Sequence, residues 1–374
     1  AQRLLAHCYE QGIGVEKSLE TGVRWLRMAA LQGDPACQTI LGKHYEFGVG
    51  TKQDPKLAVD WYRKGAQGGD PEGKCCLGWL LEQGKWVKQD LEGAAALYRE
   101  AGEQGSVRAL LLLADCLIKG IGVPADPVQG AACYQRAADL GDGDGMCCLG
   151  YCYERGTGVL QSWEKAADWY RRAAEQGNAR AMGNLAWCYD NGKGVEEDVE
   201  EATHWYRRGA EAGDARSMYC YAYCCEFGDG MEPDPEQAVL WYRRAAEEDS
   251  PEALYRLGRL YEQGLGVEQD WEQAVSWYRK AAQEGMGRAM GCLGWCYEHG
   301  KGVETDLEQA ARWYRRGAEA GDVRSMSQYA SCCESGLGTR RDLQRAIHWY
   351  RMAARQGDDG AERCLVRLEE KGRK

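Results

Sequence analysis

A phrase of ten residues, Trp61-Tyr62-Arg63-Lys64-Gly65-Ala66-Gln67-Gly68-Gly69-Asp70, returns along this chain at one fixed interval. Trp25, Trp169, Trp205, Trp241, Trp277, Trp313 and Trp349 mark further copies, and Leu97-Tyr98 and Cys133-Tyr134 fill the two places without Trp. Every step is 36 residues, with no insertion. A constant period in this range marks a stacked repeat array, whose units bury their apolar faces only against neighbours. The expected fold is all-α, an α/α solenoid of 36-residue helix-turn-helix repeats. Residues 1–374 are expected to form one array of about ten repeats and a C-terminal capping helix, its polar end at Glu369-Glu370-Lys371.

One repeat shows the grammar. Asp34-Pro35 reads as an N-cap followed by Pro at the first helical position. Helix A then runs to about Phe47, with Cys37, Leu41, Gly42 and Tyr45 on one face. The Gly42 column is always small, as Ala6, Gly78, Ala114, Gly150, Ala186, Ala222, Gly258, Gly294 and Ala330, until Val366. Such a column allows close helix–helix approach. Gly48 suits the left-handed position that ends a helix. After a Gly-x-Gly-Val loop, as at Gly192-Lys193-Gly194-Val195, Asp54 and its equivalents cap helix B. Helix B carries Ala58, Trp61, Tyr62, Gly65 and Ala66 on its packing faces. Trp86 in place of the second loop Gly and Asp249 in place of the junction Gly break the pattern.

The pattern Ala-x3-Leu-Gly-x2-Tyr-x2-Gly-x-Gly-Val-x2-Asp-x3-Ala-x2-Trp-Tyr-x2-Ala-Ala-x2-Gly, clearest from Ala253 to Gly285, resembles the Sel-one-like repeat, a relative of the tetratricopeptide repeat. The resemblance runs through essentially the whole chain. It implies a right-handed superhelix whose A helices line the concave face, and an adaptor that assembles other proteins. In one subfamily, the Helicobacter cysteine-rich proteins, a Cys-x7-Cys disulfide staples each repeat. No two Cys of this chain stand at that spacing.

Composition narrows the function. The net charge is −11, with acids in every repeat, which argues against nucleic acid as a partner. No apolar run is long enough to span a bilayer. Ala1 aligns with Cys37 inside a helix, so the sequence is expected to begin within a longer chain, and whether a signal peptide or a catalytic domain precedes Ala1 stays open. The eighteen Cys include adjacent pairs and i, i+4 pairs such as Cys148/Cys152, where bridging geometry is poor. A reducing, cytoplasmic location is expected. The five His share no repeat position, and no nucleophile elbow or phosphate loop is present, so no enzyme activity and no cofactor are expected.

Function is expected in the variable columns of helix A. With Leu41 at the centre of the buried face and about 100° per residue, positions 36, 39, 40, 43 and 47 point away from the core. Arg and aromatic residues collect there. The candidate partner-binding residues are Arg180, Trp187, Arg216, Tyr219, Tyr223, Phe227, Tyr255, Arg259, Arg288 and Trp295. Rings interleaved with Arg have the composition of interface hot spots. They suit a protein or peptide with acidic and apolar groups, bound by a monomer in the concave groove. Two other readings stay open: a metal- or redox-responsive protein using the columns of Cys8 and Cys76, and the regulatory repeats of a larger enzyme.

Overall fold

The computed structural model describes residues 1–372, with side chains as far as Leu368. The described residues form helices joined by turns and no strand. They gather into two compact units, Ala1–Ala181 with Lys193–Val195, and Met182–Gly192 with Glu196 onward. The side chains of Glu369, Glu370 and Lys371 lie outside the described residues.

The first unit alternates A and B helices: α1 (Gln2–Gln11), α2 (Leu19–Leu31), α3 (Pro35–Phe47), α4 (Pro55–Gln67), α5 (Pro71–Gln83), α6 (Leu91–Glu103), α7 (Val107–Lys119), α8 (Pro127–Asp139), α9 (Gly143–Arg155) and α10 (Trp163–Glu175). In the second unit stand most of α11 (Ala179–Asp190), then α12 (Val199–Glu211), α13 (Ala215–Phe227), α14 (Pro235–Glu247), α15 (Pro251–Gln263), α16 (Trp271–Gln283), α17 (Gly287–His299), α18 (Leu307–Glu319), α19 (Val323–Ser335), α20 (Leu343–Arg355) and α21 (Asp359–Gly372). Odd numbers are A helices and even numbers are B helices. Within each unit a helix packs mainly on its sequence neighbours, with weaker contacts between successive A helices such as α3 and α5 or α17 and α19.

The expected stops and starts are built from side chains. Asp34 Oδ1 accepts from Cys37 N at 3.0 Å, and Asp54 Oδ1 from Leu57 N at 3.0 Å, so orphan donors at both helix starts are satisfied. The second loop Gly has a stricter reason to exist. A side chain at Gly122 or Gly338 would collide with the carbonyl of Leu91 or Leu307, the first residue of the preceding B helix. Trp86 holds the same column at φ 65° without being Gly, and its ring lies half out in water beneath Lys85, 4.3 Å from the ring centre.

The small column has a different purpose from the one its sequence suggests. It receives the Tyr of the same repeat's B helix. A carbon added at Gly42 would stand 2.7 Å from the Tyr62 ring, and one at Gly258 would overlap Tyr278. One turn further along helix A a Glu accepts a hydrogen bond from the phenol. Tyr62 donates to Glu46 at 2.6 Å, Tyr98 to Glu82 at 2.8 Å, Tyr242 to Glu226 at 2.7 Å and Tyr314 to Glu298 at 2.6 Å, and Tyr278 pairs with Glu262. A buried phenol needs such an acceptor. The neighbouring Trp is covered instead by a cation three residues on, as Lys64 covers Trp61 at 4.2 Å and Arg244 covers Trp241 at 4.5 Å.

The first repeat shows the rule through its exception. Leu26 stands where the Tyr would be, so Glu10, the counterpart of Glu46, has no phenol. His44 stands in a column otherwise held by Cys or Leu. Its Nε2 comes to 3.2 Å from Glu10 Oε1, and its Nδ1 faces the Val49 carbonyl at 2.8 Å. Two departures from the repeat thus meet at one point.

One geometric expectation is overturned. The Thr39 column does not face outward: Thr39 is 1% exposed, and Cys75 and Cys147 in the same column are buried. Helix A is clasped by its own B helix and by the next A helix, so its buried arc is wider than one centred on Leu41 alone. Thr39 fills the corner where Gly65 and Gly73 approach. The eighteen Cys are all free thiols, and most are buried. Burial pushes the thiols of Cys147 and Cys292 up to about 11 and those of Cys76 and Cys296 to about 12. They pack as small apolar groups.

Three outcomes follow. Trp241→Ala should cost about 3–5 kcal/mol in chemical denaturation by emptying a core slot, and Gly258→Val about 1–3 kcal/mol by lifting the Tyr278 ring. Burial, followed by the adjoining Glu, raises the column phenols such as Tyr62, Tyr242 and Tyr314 well above their usual range, and burial does the same to Tyr278. Their neutral form is the folded form. Their contribution is therefore complete below about pH 10 and lost as pH rises beyond it, so tyrosinate absorbance should appear together with loss of helix. A thiol reagent at pH 8 should label few Cys in the folded protein and eighteen after denaturation without reductant.

Candidate partner-binding site

The ten candidate residues divide between the units. Arg180 belongs to the first, where it is exposed and its Nη2 donates to Cys148 Sγ at 3.3 Å. The other nine belong to the second unit. Trp187 is half-buried on α11, and Arg216 is exposed on the first turn of α13. Tyr219, Tyr223 and Phe227 climb α13 as their spacing requires, each four residues after the last.

These three rings are not equally available. Tyr219 is half-buried, its ring centre 5.7 Å from that of Tyr242 on α14. Tyr223 and Phe227 lie 4.6 Å apart, and Phe227 remains 48% exposed. Arg256 of α15 lies over both rings at 5.1 Å, anchored by Glu226 at 3.5 Å. The hydrogen bond and charge of Arg256 also oppose the burial that raises the Tyr219 phenol. Arg256 was absent from the sequence-based set. Its signal was available, because it is the one charged residue in a column that otherwise runs Ile40, Cys76, Leu112, Cys148, Asn184, Cys220, Cys292, Gln328 and Cys364.

Further along, Tyr255 on α15 is half-buried with its ring 6.0 Å from Tyr278. Arg259 pairs with Glu262 at 3.1 Å, so its charge is already balanced. Arg288, exposed on the first turn of α17, makes no ion pair among the described residues. Trp295 stacks on His299 at 4.5 Å and lies 5.6 Å from Trp271, forming a three-ring platform. Trp271 opens α16, a position that Pro or Leu usually holds, and neither it nor His299 was in the sequence-based set.

Between α15, α17 and α19 the surface sinks into a cavity of about 410 Å³. Tyr255, Arg259, Arg288 and Trp295 line it, together with Arg324 and Asp322 of the turn into α19. A long echo in the sequence has its counterpart here: Gly183 and Gly291 each lie against a Ser, Ser217 and Ser325, whose hydroxyls donate to the capping Asp214 at 2.6 Å and Asp322 at 2.5 Å.

Nothing among the described residues assembles a reaction centre around the His. His44 meets Glu10, His299 stacks on Trp295, and His204 and His348 sit edge-on to Trp205 and Trp349. No group of three or more His, Cys, Asp or Glu among them is placed to hold a metal ion, and none of their helices is long and apolar enough to cross a membrane.

The model of the Sel1 repeat matches residues 1–34, 35–70, 75–106, 107–142, 144–178, 179–214, 215–250, 251–286, 288–322 and 323–358. Among solved structures, a protective antigen of uropathogenic Escherichia coli strains that displays an SLR fold is 33% identical, with a TM-score of 0.77 over 99% of this chain and 79% of that one. A Sel1 repeat protein from Oxalobacter formigenes is 29% identical, with a TM-score of 0.62 over 83% of this chain and 90% of that one. No curated protein matches the chain. With ten matched repeats spanning nearly its whole length, and these two solved structures beside it, the chain belongs to the Sel1 repeat family.

Proposed function

We propose that this protein is a non-enzymatic adaptor, monomeric and without a cofactor, that holds a protein or peptide partner on the A-helix face of its second unit. Sel1 repeats mediate protein–protein interaction, which supplies the general class. The particular face rests on one contrast between equivalent columns. In the first unit Glu72 is bound by Lys43 at 2.8 Å and by Arg108 at 2.7 Å. Burial opposes ionisation of Glu72, yet those two cations hold its carboxyl below the usual range. Glu72 and Arg108 share one column, which in the second unit holds Arg216, Glu252, Arg288 and Arg324, and none of these four forms an ion pair among the described residues. Arg288 and Arg324 line the same cavity as Trp295, and Arg216 opens the helix that carries Tyr223 and Phe227. Exposed rings next to unpaired guanidinium groups support recognition of a segment with acidic and apolar side chains, on a chain that otherwise carries excess negative charge.

Arg216→Glu and Tyr223→Ala should each weaken capture of a purified partner at least about tenfold, by charge repulsion and by loss of an aromatic anchor. Glu236→Lys, on the exposed first turn of α14, should leave capture unchanged. The reverse pattern would place the partner on the B-helix face and defeat the proposal.

A further inference from the structure

The cavity between α15, α17 and α19 has a charge balance that selects one kind of occupant. Three guanidinium groups reach it, those of Arg259, Arg288 and Arg324. Two acids line it, and both are already engaged. Glu262 accepts a hydrogen bond from the Tyr278 phenol and holds Arg259. Asp322 caps α19, its Oδ2 accepting from Ser325 N at 2.8 Å and from the Ser325 hydroxyl at 2.5 Å. Asp322 keeps its negative charge, so the lining carries one net positive charge, and its two cations without an ion pair among the described residues are Arg288 and Arg324, both exposed at the rim. The Cys292 thiol in the wall, raised to about 11 chiefly by burial, carries no compensating charge.

We propose that this cavity is the receiving site for a carboxylate side chain of the bound segment, with Arg288 and Arg324 gripping the acid. An apolar side chain next to it in that segment rests on the Trp295, Trp271 and His299 platform. The proposal rests on the reading of the A-helix face given above and deepens it, by naming the chemistry that fixes where the partner sits. Two guanidinium groups suit an acid because each offers paired N–H donors in a plane that matches carboxylate geometry. A neighbouring apolar group is required because the cavity wall is aromatic on one side: Trp295 and Tyr255 stay half-buried, with ring surface still open to water. Gly291 keeps the floor clear, since a side chain there would strike the Ser325 hydroxyl and the Asp322 carboxylate. The occupant is thus an Asp or Glu one to three residues from a Trp, Phe or Leu.

The probe is a random peptide library displayed on phage, selected against the intact chain, with the enriched peptides then synthesised. These should share an acid near a large apolar residue. Replacing that acid by Gln or Asn, or combining Arg288→Gln with Arg324→Gln, should weaken binding at least about tenfold and flatten its salt dependence. Arg312→Gln, on the outer face of α18, should change nothing. Both site arginines are exposed, and an unchanged melting curve for the double variant shows that folding is not the cause of any loss. Peptides that bind without an acid, or that bind the double variant equally well while losing affinity to Trp295→Ala, overturn the carboxylate site and leave the A-helix face standing as the docking surface. Peptides unaffected by Trp295→Ala, Tyr223→Ala and the arginine changes alike overturn both. A phosphorylated version of the same peptide that binds more tightly than the Glu version overturns the assignment of a carboxylate and points to a phosphate.

Discussion

The phenol of each B helix is the contact on which the repeat depends. Tyr278 lies on Gly258 and reaches Glu262, one turn further along the same A helix. The ring settles because no side chain stands beneath it, and its hydroxyl is satisfied because a carboxylate waits at the far end of the slot. Three positions on two helices are thereby coupled: a small residue, an acid four residues later and a Tyr sixteen residues beyond that. Where one member changes, another answers. Tyr134 has Ile118 where the acid should be and turns to Asp115, at 2.7 Å. Leu26 offers no hydroxyl, and His44 comes to Glu10 from the following A helix. Asp115 keeps the buried Tyr134 hydroxyl from being left without a partner, which would cost about 1–3 kcal/mol, whereas Glu10 Oε1 has His44 beside it but is buried without a hydrogen bond.

The same economy leaves some columns of the A helices free of packing duties. A repeat needs only its coupled columns for stability, so the remaining columns are free to close on themselves or to stay open. In the first unit Lys43, Glu72 and Arg108 close on one another. In the second unit Arg256 closes over Tyr223 and Phe227. A partner side chain bound there meets a ring pair already topped by a cation, whereas the cavity beside Trp295 has cations at its rim and ring surface in its wall. The two places therefore differ in kind. One is a covered aromatic ridge and the other a charged recess, and a segment laid across both would have to be apolar at one and acidic at the other.

Buried thiols occupy slots that Leu fills elsewhere in the array. Cys116, Cys152 and Cys296 stand where Leu80 and Leu260 stand, all of them buried. Burial keeps them protonated, and a protonated thiol neither attacks a disulfide nor ligates a metal readily. Packing thus accounts for the buried Cys of this column.

The period, the helix pairs, their caps and their glycine stops were legible from the sequence alone, because each follows from local chemistry: an Asp at a helix start, a left-handed Gly at its end, apolar residues on one side. Repetition strengthened every one of these signals by showing it again 36 residues later. The partners of side chains that cross between helices were not legible. Nothing local announces that Tyr62 seeks Glu46, that Thr39 turns into the corner between Gly65 and Gly73, or that Arg256 lies over Tyr223. Each depends on how far one helix is rotated against the next, and a rotation of a few tens of degrees moves a side chain from water into a contact. The sequence determined which residue types share a column. Only the packing of A helix on B helix and on the next A helix decided which of those columns are spent on stability and which remain open.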